Sequence, residues 1–167
     1  YIAVNMRLED LLKIEDKTFF DLILCSHIFY HIPKEKLREI VNEIRQRLND
    51  NGNLVVVLDS DDSEIYRFRT RFDFPTKIKD FGEDLFATQF QKLLEDENIP
   101  YDQRTINSLI EIPSDEEMIR ILAFLYRVKQ TEIKKHGDKV KKIMKRFKTK
   151  EDFSVFDWRQ EMFMINI

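Results

Sequence analysis

At 167 residues, with 43% hydrophobic and 35% charged side chains, the chain can bury a sizeable core and has a globular composition. A formal net charge of −3 excludes a global pull towards nucleic acid or acidic membranes. A single cysteine excludes a disulfide framework within the chain, and three scattered glycines exclude a glycine-rich phosphate loop.

Tyr1 to Met6 reads as the tail of a strand, with Ile2 and Val4 alternating against polar neighbours. A strand that opens at the first residue implies a preceding portion, so the chain is expected to lack an N-terminal segment. Leu8-Glu9-Asp10-Leu11-Leu12 is a short turn or helix. The stretch from Phe19 to Ser60 then organises everything else. Leu22 to Cys25 is an apolar run without alternation, which predicts a strand covered on both faces. Pro33 can open the next helix, because its missing N–H is not needed there. Leu37, Ile40, Val41, Ile44 and Leu48 recur at helical spacing and form one apolar stripe. Asn51-Gly52 is expected to end that helix and turn the chain into a second buried strand, Leu54 to Leu58. Two parallel strands joined by a crossover helix make a βαβ unit, whose ligands sit beyond the carboxyl ends of the strands. That edge carries Ser26-His27 and Tyr30-His31 after the first strand and Asp59-Ser60 after the second.

Asp59, Asp61, Asp62 and Glu64 then cluster, and Tyr66-Arg67-Phe68-Arg69-Thr70-Arg71-Phe72 interleaves aromatics with arginines. Such interleaving can stack bases; the alternative is an amphipathic helix or lid whose arginines snorkel. The carboxylates lack a calcium-loop pattern and read as a solvated loop. Thr88-x-x-Gln91 and Ser114-x-x-Glu117 are two capping-box signatures, each followed by an apolar helical face. Tyr101 to Ile112 between them reads as a strand. Thr131 to Phe147 is a third helical pattern, interrupted at Gly137, with a face dense in lysine. That face is either solvated or a patch for an anionic partner. Phe153 to Ile167 is mostly apolar and holds the final strand.

His27 and His31 are four apart, but they straddle a strand-to-helix junction and no Glu follows His27, so no metal is expected. Ser26-His27 lacks the nucleophile elbow of a hydrolase. Cys25 reads as a small core residue and His136 as a surface one.

The run Phe20-Asp21-Leu22-Ile23-Leu24-Cys25-Ser26-His27-Ile28-Phe29-Tyr30-His31 resembles the fourth strand and following segment of class I S-adenosylmethionine-dependent methyltransferases. The later Leu48-x-x-Asn51-Gly52-Asn53-Leu54-Val55-Val56-Val57 looks like that family's passage into its fifth strand. The long helical insertion before the last strand is most similar to methyltransferases of the histamine N-methyltransferase type, which act on small amines. The resemblance implies an α/β fold, a partial Rossmann-like methyltransferase domain over residues 1–167. Its sheet is expected to be mostly parallel, ending in an antiparallel strand pair with a helical insertion. It implies S-adenosyl-L-methionine as cofactor. The family's glycine-rich loop and acidic ribose ligand would precede Tyr1, so the chain would supply the second half of a cofactor site.

By resemblance, Leu8 and Glu9 would lie near the adenine, and Ser26 and His27 would border the cofactor's methionine end. Tyr30 and His31 would face the substrate, Tyr66 and Arg67 would cover it, and Trp158 would close the far wall. Methyl transfer needs alignment of nucleophile, methyl and leaving sulfur, and an amine nucleophile must be neutral. His31, with a reference pKa near neutrality, is the expected proton acceptor. The expected enzyme methylates a small-molecule amine. A methyltransferase-like binding module without catalysis is the rival reading, and an RNA methyltransferase the third, opposed by the net acidity. No signal peptide and no bilayer-spanning run occur, so a cytoplasmic location with no membrane partner is expected.

Overall fold

The computed structural model describes Leu8, Asp10, residues 18–64, Tyr66, and residues 86–126, 128–147 and 154–166. In chain order these form β1 (Phe20–Ser26), one turn of 3-10 helix (Phe29–His31), α1 (Lys34–Arg45), β2 (Leu48–Asp59) and α2 (Ala87–Asp96). There follow β3 (Asp102–Ile112), α3 (Asp115–Leu125), α4 (Gln130–Lys134), α5 (Gly137–Phe147) and β4 (Ser154–Asn166). The fold is α/β, with a mixed four-stranded sheet in the order β1-β2-β4-β3. β1 and β2 are parallel, with Ile23 opposite Leu54, Cys25 opposite Val56 and Ser26 opposite Val57. This is the βαβ unit that the apolar runs and the intervening helical stripe predict.

Contacts divide the chain into two compact units, one of Tyr1–Leu58, Leu85–Arg104 and Glu161–Ile167, the other of Asp59–Asp84 and Thr105–Gln160. In the first unit, the stripe Leu37, Ile40, Val41 and Ile44 of α1 packs with Cys25, Leu54, Val56 and Leu58 of the strands and with Phe90 and Leu94 of α2. Aromatic rings tie distant segments together: Phe29 to Phe90 at 5.5 Å, Phe90 to Phe163 at 5.2 Å, Tyr101 to Phe163 at 5.7 Å between centroids. The second unit buries Met118, Leu122, Ile133, Val140 and Phe156 where α3, α4 and α5 pack on one another. The Ser114 hydroxyl accepts from the Glu117 N–H at 3.2 Å, so the second capping signature does start α3.

Three expectations give way. First, β1 is not covered on both faces: Leu22 and Leu24 are exposed, while Cys25 is buried. The strand lies at the sheet's edge among the described strands, and α1 covers only one side of it. Second, α1 ends at Arg45, and Leu48 belongs to β2 instead of the helical stripe. Asn51-Gly52 lies inside β2, where Asn51 takes a positive φ of 66° and the register with β1 slips between Phe20 and Leu22. The turn signal there marks an irregularity within a strand. Third, Thr88 does not cap α2: the N-cap is Phe86, without a side-chain bond, and Gln91 reaches forward to Glu95 at 3.0 Å. Pro33 is the N-cap of α1, and the break in the third helical pattern falls at Lys135-His136, just before Gly137.

Burial pushes the Cys25 thiol from 9.0 up to about 11. The folded state therefore holds this proton more tightly than the unfolded chain. The stabilisation, about 2–3 kcal/mol, is fully present below pH 9.0 and is lost as the pH rises to about 11. Urea unfolding of the wild type should weaken across this window, and Cys25→Ala should remove that slope. Iodoacetamide at about pH 8 should label Cys25 only after unfolding.

Candidate functional site

In the first unit the polar groups gather where β1 ends. The ladder runs to Ser26 opposite Val57, and the His27 N–H donates to the Val57 carbonyl at 3.0 Å. His27 then takes a left-handed backbone, φ 55°, which breaks the strand sharply and leads into the 3-10 turn. Ser26 is exposed, and His27 and Tyr30 are half-buried. His27 Nδ1 and the Tyr30 hydroxyl share a hydrogen bond at 2.9 Å, with ring centroids 5.7 Å apart and planes tilted by 37°. The left-handed step is what lets side chains three residues apart meet at a strand end. The pair can hold a hydroxyl and an imidazole nitrogen in one orientation towards a ligand.

The second unit has its own polar group where β2 ends. Asp59 is only 4% exposed, and its Oδ1 accepts from the Trp158 indole N–H at 2.7 Å. The Ser60 N–H donates to the Arg159 carbonyl at 3.0 Å, and the Asp157 N–H donates to Glu64 Oε2 at 2.6 Å. Ser63 is buried and accepts from the Tyr66 N–H at 3.1 Å. Asp59, Ser60 and Ser63 are therefore built into the fold, which corrects the reading of the acidic run as a solvated loop at Asp59, whereas Asp62 is exposed and Asp61 half-buried.

The predicted residues fare as follows. Ser26, His27 and Tyr30 come together at the end of β1, and Leu8 packs against the same core. His31 sits in the 3-10 turn, and its side chain lies outside the described residues, as do Glu9, Arg67 and the rest of the arginine-aromatic stretch. Tyr66 and Trp158 belong to the second group, Trp158 packing against that unit's core. Sequence reasoning missed two bonds, His27 to Tyr30 and Asp59 to Trp158. The first had a local signal, a histidine three residues before a tyrosine at a strand end. The second joins residues 99 apart and had none. Among the described residues no group of three or more His, Cys, Asp or Glu side chains could hold a metal ion. No helix among them is long and apolar enough to cross a membrane. A surface depression between α1 and α2, lined by Arg38, Gln89, Lys92, Leu93, Asp96 and Glu97, contains none of the predicted site residues. Lys134, Lys135, Lys139, Lys141, Lys142 and Lys145 are exposed along α4, α5 and the turn between them, and Lys135 pairs with Glu132 at 2.9 Å.

No family model matches the chain. It is 31% identical over 154 residues to an uncharacterized protein of Methanocaldococcus jannaschii, covering 90% of this chain and 58% of the relative. The chain thus spans less than two thirds of that protein's length. Among solved structures, a SAM dependent methyltransferase from Archaeoglobus fulgidus superposes with a TM-score of 0.52 at 14% identity, over 100% of this chain and 68% of that one. A cyclopropane-fatty-acyl-phospholipid synthase-like protein from Lactobacillus casei also gives 0.52, at 13% identity over 96% and 60%. At such identities the likeness is one of fold, and the fold is Rossmann-like, of the methyltransferase type.

Proposed function

We propose that the chain is a methyltransferase-like domain that supplies one side of an S-adenosylmethionine site and methylates a small molecule, an amine. The observation that carries this reading is the parallel β1–β2 pair ending in polar groups, within a sheet that superposes on a SAM dependent methyltransferase. Ser26 and His27 fit the cofactor's methionine end in chemistry, since the strand ends there and offers hydroxyl and imidazole groups. Leu8 and Glu9 take the adenine side. In the family this chain resembles, a glycine-rich loop that holds the amino acid portion and an acid that holds the ribose complete the cofactor site. Bound there, the cofactor supplies an electrophilic methyl on a sulfonium sulfur.

Every other part falls to this chain. Tyr30, its hydroxyl fixed by His27, orients the acceptor, and exclusion of water around the bound amine disfavours its ammonium form. His31 accepts the amine's proton at its imidazole. Tyr66, Arg67 and Trp158 contact the substrate, Trp158 with its indole N–H held by Asp59.

The test is a calorimetric titration of S-adenosylhomocysteine into the polypeptide purified from its native cells. One saturating site is expected, weakened about tenfold by His27→Ala; a titration without saturable heat overturns the reading. In the same protein His31→Ala should lower the methylation rate of an amine and flatten its pH profile. A second reading rests on the exposed lysines of α4 and α5, which suit an RNA acceptor. RNA binding that weakens steeply with salt would favour it over a small molecule.

A further inference from the structure

The basic charge of this chain gathers on one segment. Between Lys129 and Arg146 stand eight basic and two acidic side chains, in a chain whose net charge is −3. Lys129 and Lys134 on α4 and Lys139, Lys141, Lys142 and Lys145 on α5 are exposed. Within α5, Lys139 with Lys142, Lys142 with Lys145 and Lys141 with Lys145 are three or four residues apart, so like charges share one face. Such pairs destabilise a helix unless an acid one turn away offsets them. The only acid of α5, Asp138, lies in its first turn, and Glu132 is engaged by Lys135 at 2.9 Å. Lys134, Lys141, Lys142 and Lys145 make no ion pair among the described residues. Packing does not need them either, since Ile133 and Val140 carry this segment into the core of the second unit. Charge of one sign, held unpaired at a cost to its own helix, marks a surface whose counter-charge arrives with a partner.

We propose that this face docks on the phosphate backbone of a double-helical nucleic acid. A helix of 11 residues spans roughly 16 Å. Over that length a duplex presents about ten phosphate charges, dense enough to meet the lysines in any register. Lysine ammonium groups are point charges that hold phosphate without a paired geometry, so the contact reads charge and not sequence. Between Lys129 and Arg146 there is no Phe, Tyr or Trp, the side chains on which single-stranded bases stack. A helix that lies on a membrane lends its apolar side to the bilayer, whereas Ile133 and Val140 are buried in the protein's own core. Protein interfaces are poor in lysine and are built around aromatic anchors, which this segment lacks. The duplex is a docking partner here, not the methyl acceptor. The inference uses the lysines of the RNA reading above, but it needs neither cofactor nor methyl transfer and holds equally when the acceptor is a small molecule.

The test is fluorescence anisotropy of the full polypeptide, without cofactor, on a labelled duplex about two helical turns long, as RNA and as DNA. Unrelated sequences should bind alike, within about threefold. Binding should weaken with salt on a log–log slope of about −3.5 to −5.5, as roughly four to six phosphates are neutralised. Lys141→Ala, Lys142→Ala and Lys145→Ala together should weaken it at least about tenfold and flatten the slope by about 3. Lys141→Arg, Lys142→Arg and Lys145→Arg together should keep it, and Lys92→Ala, at an exposed position of α2, should not change it. All four lysines are exposed, so folding survives these changes. S-adenosylhomocysteine should titrate the triple alanine variant as it does the wild type, so that the docking and the cofactor reading fail separately. Tighter binding to RNA or to DNA would name the source of the duplex, and either supports the docking. No saturable binding at about 50 mM salt, or binding unchanged in the triple alanine variant, would overturn it. So would binding as tight to polyglutamate, to phosphatidylserine vesicles or to a single strand as to the duplex.

Discussion

Phe90→Ala is expected to lower the free energy of unfolding by about 3–5 kcal/mol. Phe90 has no exposed surface and stands between Phe29, at 5.5 Å, and Phe163, at 5.2 Å. Those neighbours are held by different elements, the 3-10 turn and β4, so neither ring can slide into the space left behind. The loss therefore combines the transfer energy of the ring, its edge-to-face contact and a cavity that does not collapse. Urea unfolding followed by circular dichroism measures it. Phe124→Ala is the control, because Phe124 is 76% exposed on α3 and its removal should change stability by no more than about 0.5 kcal/mol. Equal effects at the two positions would mean that the aromatic chain does not hold the first unit together.

Gly52→Val should destabilise by about 3 kcal/mol through the opposite fault, crowding. A β-carbon at Gly52 would lie 2.8 Å from the Asn49 carbonyl oxygen, 3.0 Å from that of Phe20 and 3.0 Å from the Leu48 β-carbon. Two of these neighbours are backbone and cannot rotate away. They belong to the stretch where Phe20 pairs with Leu48 while Leu22 already pairs with Asn53. The glycine is thus required by a close approach of β1 to a kinked β2, with no positive φ of its own. Hydrogen exchange at the start of β1 should quicken along with the loss of stability. A valine variant within about 0.5 kcal/mol of wild type would show that the kink is soft.

The legible parts of this fold were those written locally. The stripe Leu37, Ile40, Val41, Ile44 names a helix because its period is 3.6 and its face is buried, and Ser114 caps α3 through a bond to a residue three away. The apolar run of β2 and its parallel partner followed from the crossover between them. Where the reading failed, the deciding fact lay elsewhere in the chain. Leu22 and Leu24 look like core residues, but whether a strand is covered depends on what stacks upon it. Thr88 has capping chemistry, but the N-cap position falls two residues earlier, on Phe86. Asn51-Gly52 has turn chemistry, which a strand absorbed as a kink. The site divides in the same way. Ser26, His27 and Tyr30 could be placed from the strand end, whereas the buried Asp59 looked like one more surface acid until Trp158 was found against it.

The backbone at His27 carries a consequence of its own. A side chain other than glycine, held at φ 55°, forfeits on the order of 1 kcal/mol of stability. Glycine would occupy the same left-handed step with less strain but would forfeit the bond from Nδ1 to the Tyr30 hydroxyl. The corner thus sets backbone ease against side-chain anchorage, and the two contributions oppose each other in any substitution made there.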